Sequence, residues 1–179
     1  MRRTITAVTV LLAVGMTATA AMAASPHFKK GGEPVCTISG GSTSKSTTCT
    51  ATLSGLGGGD LNITTRVAGF AKYQCQNGGG NIAPGQNRVL VGPVTEPTTI
   101  PGDAIKNGNV RFTTDPAVLT APATVSGSAA GCPNANWTGI NPRLTVTSIT
   151  LTIKQSGTTL FTCTANNPNG LSGTVPLAC

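Results

Sequence analysis

The chain has 179 residues, a formal charge of +7 and six cysteines, yet only 3% of its residues are aromatic and 9% charged. Abundant glycine and threonine with few Lys, Glu and Asp residues is a β composition and excludes an ordinary helical bundle. The cations beyond Arg2 and Arg3 (Lys29, Lys30, Lys45, Arg66, Lys72, Arg88, Lys106, Arg111, Arg143, Lys154) are scattered along the sequence, without the basic stripe or interleaved aromatics of a nucleic-acid-binding protein.

Residues 1–23 read as a signal peptide. Arg2 and Arg3 form a basic start, Ile5 to Val14 an apolar run, and Ala21-Met22-Ala23 the small residues before a cleavage point. The apolar run is too short to span a bilayer, and no second one follows, so no membrane span is expected after cleavage. Residues 24–34, with His27, Lys29, Lys30, Gly31 and Gly32, have no periodicity and read as a flexible leader to a single domain over 35–179. Short strands are expected at Val35–Ile38 and Thr47–Leu53, joined by the polar turn Gly40–Ser46.

A long strand follows Asp60. Leu61, Ile63, Thr65, Val67, Gly69, Ala71, Tyr73 and Cys75 share one parity and should face the core; Phe70 is the one large apolar residue of the opposite parity. Gly69 suggests a bulge or bend that could divide this run. The glycine-rich turn Cys75–Asn87 ends it. Arg88–Val94 resumes a strand, with Pro97 and Pro101-Gly102 as breaks, and Lys106-Asn107-Gly108-Asn109 is a tight-turn signal before inward-pointing Val110 and Phe112. Val118–Val125 is strand-like, but Pro122 makes it an edge or irregular segment. In Arg143–Lys154, Leu144 and Val146 share one parity while Ile149, Leu151 and Ile153 share the other, so a bulge is expected near Thr147-Ser148. Gln155-Ser156-Gly157 turns this strand into Thr158–Thr164. Asn166–Gly170 reads as a loop and Gly173–Cys179 as a last short strand. Eight to ten short strands of this kind predict an all-β, immunoglobulin-like β-sandwich.

An even number of cysteines in an exported chain reads as disulfides. Zinc fits poorly, because no Cys-x-x-Cys occurs and the single histidine, His27, lies in the leader. Six cysteines allow 15 pairings, and the sequence does not choose among them by itself. Local spacing favours Cys36–Cys49 and Cys163–Cys179, which leaves Cys75–Cys132.

A catalytic triad lacks its usual base, since His27 is the only histidine. The five carboxylates (Glu33, Asp60, Glu96, Asp103, Asp115) lie in turn-like stretches or singly, without the spacing of a calcium loop. Neither glycine triplet is followed by the Lys-Ser/Thr of a phosphate-binding loop. No catalytic residue, metal or cofactor is therefore assigned, and the chain reads as non-enzymatic. Trp137 is the residue to watch. It reads either as a core plug beside Cys132 or as a sugar-stacking platform with Asn134, Asn136, Asn77 and Gln86 around it.

Two segments, Cys75-Gln-Asn-Gly-Gly-Gly-Asn-Ile-Ala-Pro-Gly-Gln-Asn87 and Gly131-Cys132-Pro133-Asn134-Ala135-Asn136-Trp137-Thr138, resemble a group of small secreted actinobacterial proteins of unknown function. The resemblance runs from about Ser54 to Thr162. It implies a β-sandwich in which the cysteines of these two segments pair, and it brings no catalytic residue. The expected role is binding or structural, at the cell surface or in the medium. A carbohydrate-binding module and a secreted protease inhibitor presenting Asn77–Gln86 are the rivals. The partner classes left open are a cell-wall polymer, a polysaccharide or another extracellular protein, with no nucleic acid.

Overall fold

The computed structural model describes residues 25–179; the expected signal peptide lies outside the described residues. In chain order the strands are β1 (His27–Phe28), β2 (Val35–Ser39), β3 (Ser44–Ser54), β4 (Leu61–Gln76), β5 (Ile82–Pro84), β6 (Val89–Ile100), β7 (Val110–Thr113), β8 (Ala117–Thr120), β9 (Val125–Ser126), β10 (Thr138–Gln155), β11 (Thr158–Leu171) and β12 (Gly173–Pro176). One helical turn, α1 (Gly127–Ala130), follows β9. Two sheets form, each around long strands that carry two partners end to end along each side. In the first, β3 has β7 and β8 on one side and β1 and β2 on the other, with β12 beyond β2. In the second, β4 and β10 lie side by side; β5 and β6 flank β4, and β9 and β11 flank β10. The result is the two-sheet, all-β architecture that the strand spacing predicts.

The core follows from parity. Leu61, Ile63, Thr65, Val67, Gly69, Ala71, Tyr73 and Cys75 are all buried, while Asn62, Arg66, Lys72 and Gln74 between them are exposed. On β10 the phase changes at Thr147: Val146 pairs with Gly69 but Ser148 with Ala68, so β10 carries one extra residue there. That bulge turns Leu144 and Val146 to the same face as Ile149, Leu151 and Ile153, and all five are buried. The bulge is not on β4, contrary to the expectation that Gly69 would bend or divide it. Gly69 instead lets its neighbour come close. A Cβ at this position would land on the Thr145 carbonyl oxygen and stand 3.1 Å from the Val146 Cα. On the other side of β4, the extra residue is in β6, between Val91 and Val94, where Gly92 has a φ of 84°. β4 itself runs unbroken for 16 residues.

Three other expectations need correction. The leader is docked: Phe28 pairs with Leu53, its ring centroid lies 4.5 Å from that of Phe161, and Pro34 is fully buried. An apolar ring every few residues was enough to anchor it where no periodicity was visible. Pro97 does not break its segment, because β6 is an edge strand and its missing N–H costs no ladder bond there. Asn166–Gly170 is partly absorbed into β11, which pairs Asn166 with Ser148 and Leu171 with Val146. Only Asn167–Gly170 loops out, held by Asn167 Nδ2 donating to the Gly170 carbonyl at 2.8 Å and by the Asn169 N–H donating to Asn167 Oδ1 at 2.9 Å. Two Asn residues in turn-forming roles explain why the stretch looked like loop throughout.

Turn chemistry elsewhere is as the sequence predicts. Asn107 and Gly108, and Ser156 and Gly157, all have positive φ, the backbone that two-residue hairpins require. The disulfides are Cys36–Cys49, Cys75–Cys132 and Cys163–Cys179. The first joins residues directly opposite on β2 and β3. The last holds the C-terminus along the free edge of β11, where Thr164 and Ala178 also bridge, which covers part of an edge open to aggregation. Three disulfides fit an oxidising compartment. Among the described residues no helix is long and apolar enough to cross a membrane.

Two core hydroxyls, Thr47 Oγ1 and Thr65 Oγ1, are buried without a hydrogen-bond partner. Their β-branched shape suits a strand, but the desolvated hydroxyl is a cost. Thr65→Val keeps the shape and removes that cost. It should stabilise the protein by about 1 kcal/mol and raise Tm by roughly 2–4 °C. A lower Tm in thermal unfolding followed by circular dichroism refutes this.

Candidate functional site

The outward face of the second sheet is where the structure gathers what the sequence scatters. Lys72 on β4 is the register partner of Arg143 on β10. Arg88 immediately precedes Val89, which pairs with Ala71, so Arg88 stands beside Lys72 on its other side. All three are exposed. The backbone positions of three cationic residues thus fall in one row, Arg88 just before β6, Lys72 on β4 and Arg143 on β10, at the strand spacing of about 4.8 Å. Like charges directly opposite each other on a sheet are destabilising. Lys45 lies at the same end, bordering a hollow with Thr145 and Gly170.

Phe70 sits in the next row. Although it points outward, it is only 7% exposed, because the Arg88 guanidinium covers it 4.5 Å from the ring centroid. Arg88 Nη1 also donates to the Pro168 carbonyl at 2.9 Å. Pro168 belongs to the Asn167–Gly170 loop-out of β11, which reaches back over β10. The loop and Arg88 together form a strap across Phe70, fixing the guanidinium in place. Leu90, the register partner of Phe70, is 85% exposed beside it.

On the other side of the cationic row, Asn141 Nδ2 donates to Gln74 Oε1 at 2.9 Å. Asn141 has a φ of 51° at a second bulge of β10, between Ile140 and Arg143. Two contiguous hollows, of about 670 and 350 Å³, meet at Gln74, Asn141 and Arg143. One is bordered by Ser42 and Thr43, the other by Lys72 and Pro84.

The carboxylates are elsewhere. Asp60 accepts a bond from the Gly102 N–H at 2.8 Å, and Asp115 accepts one from Thr98 Oγ1 at 3.1 Å. Asp103 lies in the helical turn Gly102–Ala104. Glu96 pairs with Thr65, seven residues along β4 from Lys72, or about 23 Å at strand rise. Glu33 lies with Arg111 and Thr52 on the first sheet. The Glu96 separation exceeds a physiological screening length of about 8 Å, and the other carboxylates have their own partners or neighbours elsewhere, so the row keeps its positive potential. His27 Nδ1 hydrogen-bonds to the Ser25 carbonyl. Among the described residues no group of three or more His, Cys, Asp or Glu side chains is placed to hold a metal ion.

Comparison with known protein families and with curated proteins gives no match. Function therefore has to be argued from the site itself.

The residues singled out around Trp137 are brought to the same end of the second sheet. Gln76 pairs with Thr138, so Asn77 and Trp137 are adjacent across β4 and β10. Their polar groups largely serve the backbone. Asn77 Oδ1 accepts from the Gly79 and Asn81 N–H groups, and Asn134 Oδ1 accepts from the Asn136 N–H. Gln86 Nε2 reaches only its neighbour, the Pro84 carbonyl, at 3.4 Å. Trp137 is half-buried and packs against the core cluster with Cys132. Asn87, not singled out, clamps the turn to α1: its N–H donates to the Ala130 carbonyl and its Nδ2 to the Ala129 carbonyl at 3.2 Å. Tyr73 donates its phenol to the Pro122 carbonyl at 2.8 Å, and burial pushes its pKa above the usual 10.0. The inhibitor reading presents Asn77–Gln86 as a rigid, disulfide-flanked loop; within it Ile82–Pro84 is paired to β4 as β5.

Proposed function

We propose that this is an exported, disulfide-stapled β-sandwich protein that acts by binding rather than by chemistry, and that it binds through the outward face of the second sheet. The observation that carries the reading is the row Arg88–Lys72–Arg143. A fold has no stability reason to align three like charges on neighbouring positions with Glu96, the carboxylate on the same strands, about 23 Å away along β4, whereas an incoming anionic partner offsets that repulsion. The signal-peptide pattern of residues 1–23, the three disulfides and the resemblance of Cys75–Asn87 and Gly131–Thr138 to secreted proteins all support a role outside the cytoplasm. The hollows beside the row give that face relief.

Cosedimentation tests the reading. The processed protein, mixed with insoluble cell-envelope material at low ionic strength, should move to the pellet and return to the supernatant as salt is raised. A protein that stays in the supernatant at every salt concentration ends the binding proposal.

A further inference from the structure

Resting on that reading, the geometry points to a linear anionic polymer of the cell envelope as the partner, one that carries a repeated negative group on a backbone without bases and lies across the strands along Arg88, Lys72 and Arg143. The row sets the spacing. Adjacent strands place the backbone positions of successive cationic residues about 5 Å apart, and their long side chains let charged groups repeated along one chain reach all three. The two arginines supply planar donor forks suited to phosphate or carboxylate oxygens, and the lysine supplies a point charge between them. Arg88 is held by Phe70 and Pro168, so part of the ordering cost of one fork is met before the polymer arrives. Gln74 and Asn141, beside the row, spend one amide hydrogen on each other and keep further donors and acceptors for hydroxyls along the same chain.

The face also argues against a nucleic acid. Single strands are held by stacking bases on exposed aromatic rings as well as by charge. The aromatic ring beside this row is Phe70, in the next row, and Arg88 covers it. Charge complementarity is therefore offered without a stacking platform. The shared chemistry, repeated monoanionic groups on a flexible carbohydrate or polyol chain, could be phosphodiester or carboxylate; two probes separate these sources.

Binding of the processed protein would be measured by fluorescence anisotropy against poly(glycerol phosphate), polygalacturonate, neutral dextran and single-stranded DNA of equal charge. One or both of the first two should bind, dextran should not, and DNA should bind at least several-fold more weakly. Lys72→Gln/Arg143→Gln leaves the Arg88 cover of Phe70 intact. It should weaken polymer binding roughly ten-fold or more and reduce the slope of log K against log salt by about two. A control of larger charge change, Lys29→Gln/Lys30→Gln/Arg111→Gln at the far end, should bind within about two-fold of the parent protein. Circular dichroism confirms that each variant is folded. Three results overturn the inference: an equal loss in the control, which would mean net charge alone; DNA binding as tight as the polymers; or no binding to either polymer. If the protein still sediments with envelope material in any of these cases, the binding reading survives and only the partner class falls.

Discussion

Alanine at position 69 is expected to cost about 3 kcal/mol, far more than a Gly-to-Ala change in an ordinary strand. In most strands the exchange is favourable, because alanine gives up less backbone freedom on folding than glycine. Here the added methyl meets the Thr145 carbonyl and the Val146 Cα. Both are backbone of a central strand that is paired to β4 on one side and to β11 on the other. A flexible side chain could step aside; a laddered backbone cannot, so the strain reaches the top of the usual overpacking range of about 1–3 kcal/mol. The site also matters for phase. The Thr147 bulge next to Gly69 is what turns Leu144 and Val146 inward along with Ile149, Leu151 and Ile153. If the strands part there, one of these sets loses its place in the core. Urea unfolding measures the effect: the midpoint should fall markedly with a slope near that of the parent protein. A loss below about 0.5 kcal/mol would show that β10 yields, and the close-approach argument would fail.

Gly69 also shows what was legible in the sequence and what was not. A change of parity within one strand can be read directly, so the bulge near Thr147 and the inward set of β4 are visible without a structure. A close approach cannot be read that way. Gly69 marks it, but the extra residues sit on the neighbours, at Thr147 and between Val91 and Val94. Register is a relation between strands, and the sequence gives one strand at a time. The cationic row was hidden for the same reason. Lys72, Arg88 and Arg143 are 16 and 55 residues apart in sequence and look scattered; only the pairing of β6, β4 and β10 makes them neighbours. The signal that pointed toward the site was Phe70, a large apolar residue on a polar parity, whose cover turns out to be Arg88. By contrast, what marks the residues around Trp137 in the sequence is their type alone. Asn77 and Asn134 do lie near Trp137 along the chain or across the strands, but their side chains are engaged in shaping their own turns. An asparagine that caps a turn and one that awaits a ligand have the same sequence signature.

The turn around Cys75 gives the second large effect. Cys75→Ala/Cys132→Ala should lower stability by about 4 kcal/mol, and Cys36→Ala/Cys49→Ala by about 3. The difference follows from chain entropy: the first bond spans 57 positions and the second 13, so the longer one removes more freedom from the unfolded chain. What the long bond holds also matters. It fastens the last core residue of β4 to the segment after α1, on which the Trp137 turn is built. That segment keeps other ties, from the Asn87 and Gln86 N–H groups to the Ala130 and Gly131 carbonyls. The double variant should therefore remain folded at 25 °C, with Trp137 still half-buried and its fluorescence maximum little changed, while the urea midpoint drops. Urea unfolding of both double variants decides between two accounts. If removing the 13-position bond costs as much as removing the 57-position one, loop entropy is not the source of the stabilisation. The packing around fully buried Cys36 and Cys49 would then be the stronger staple.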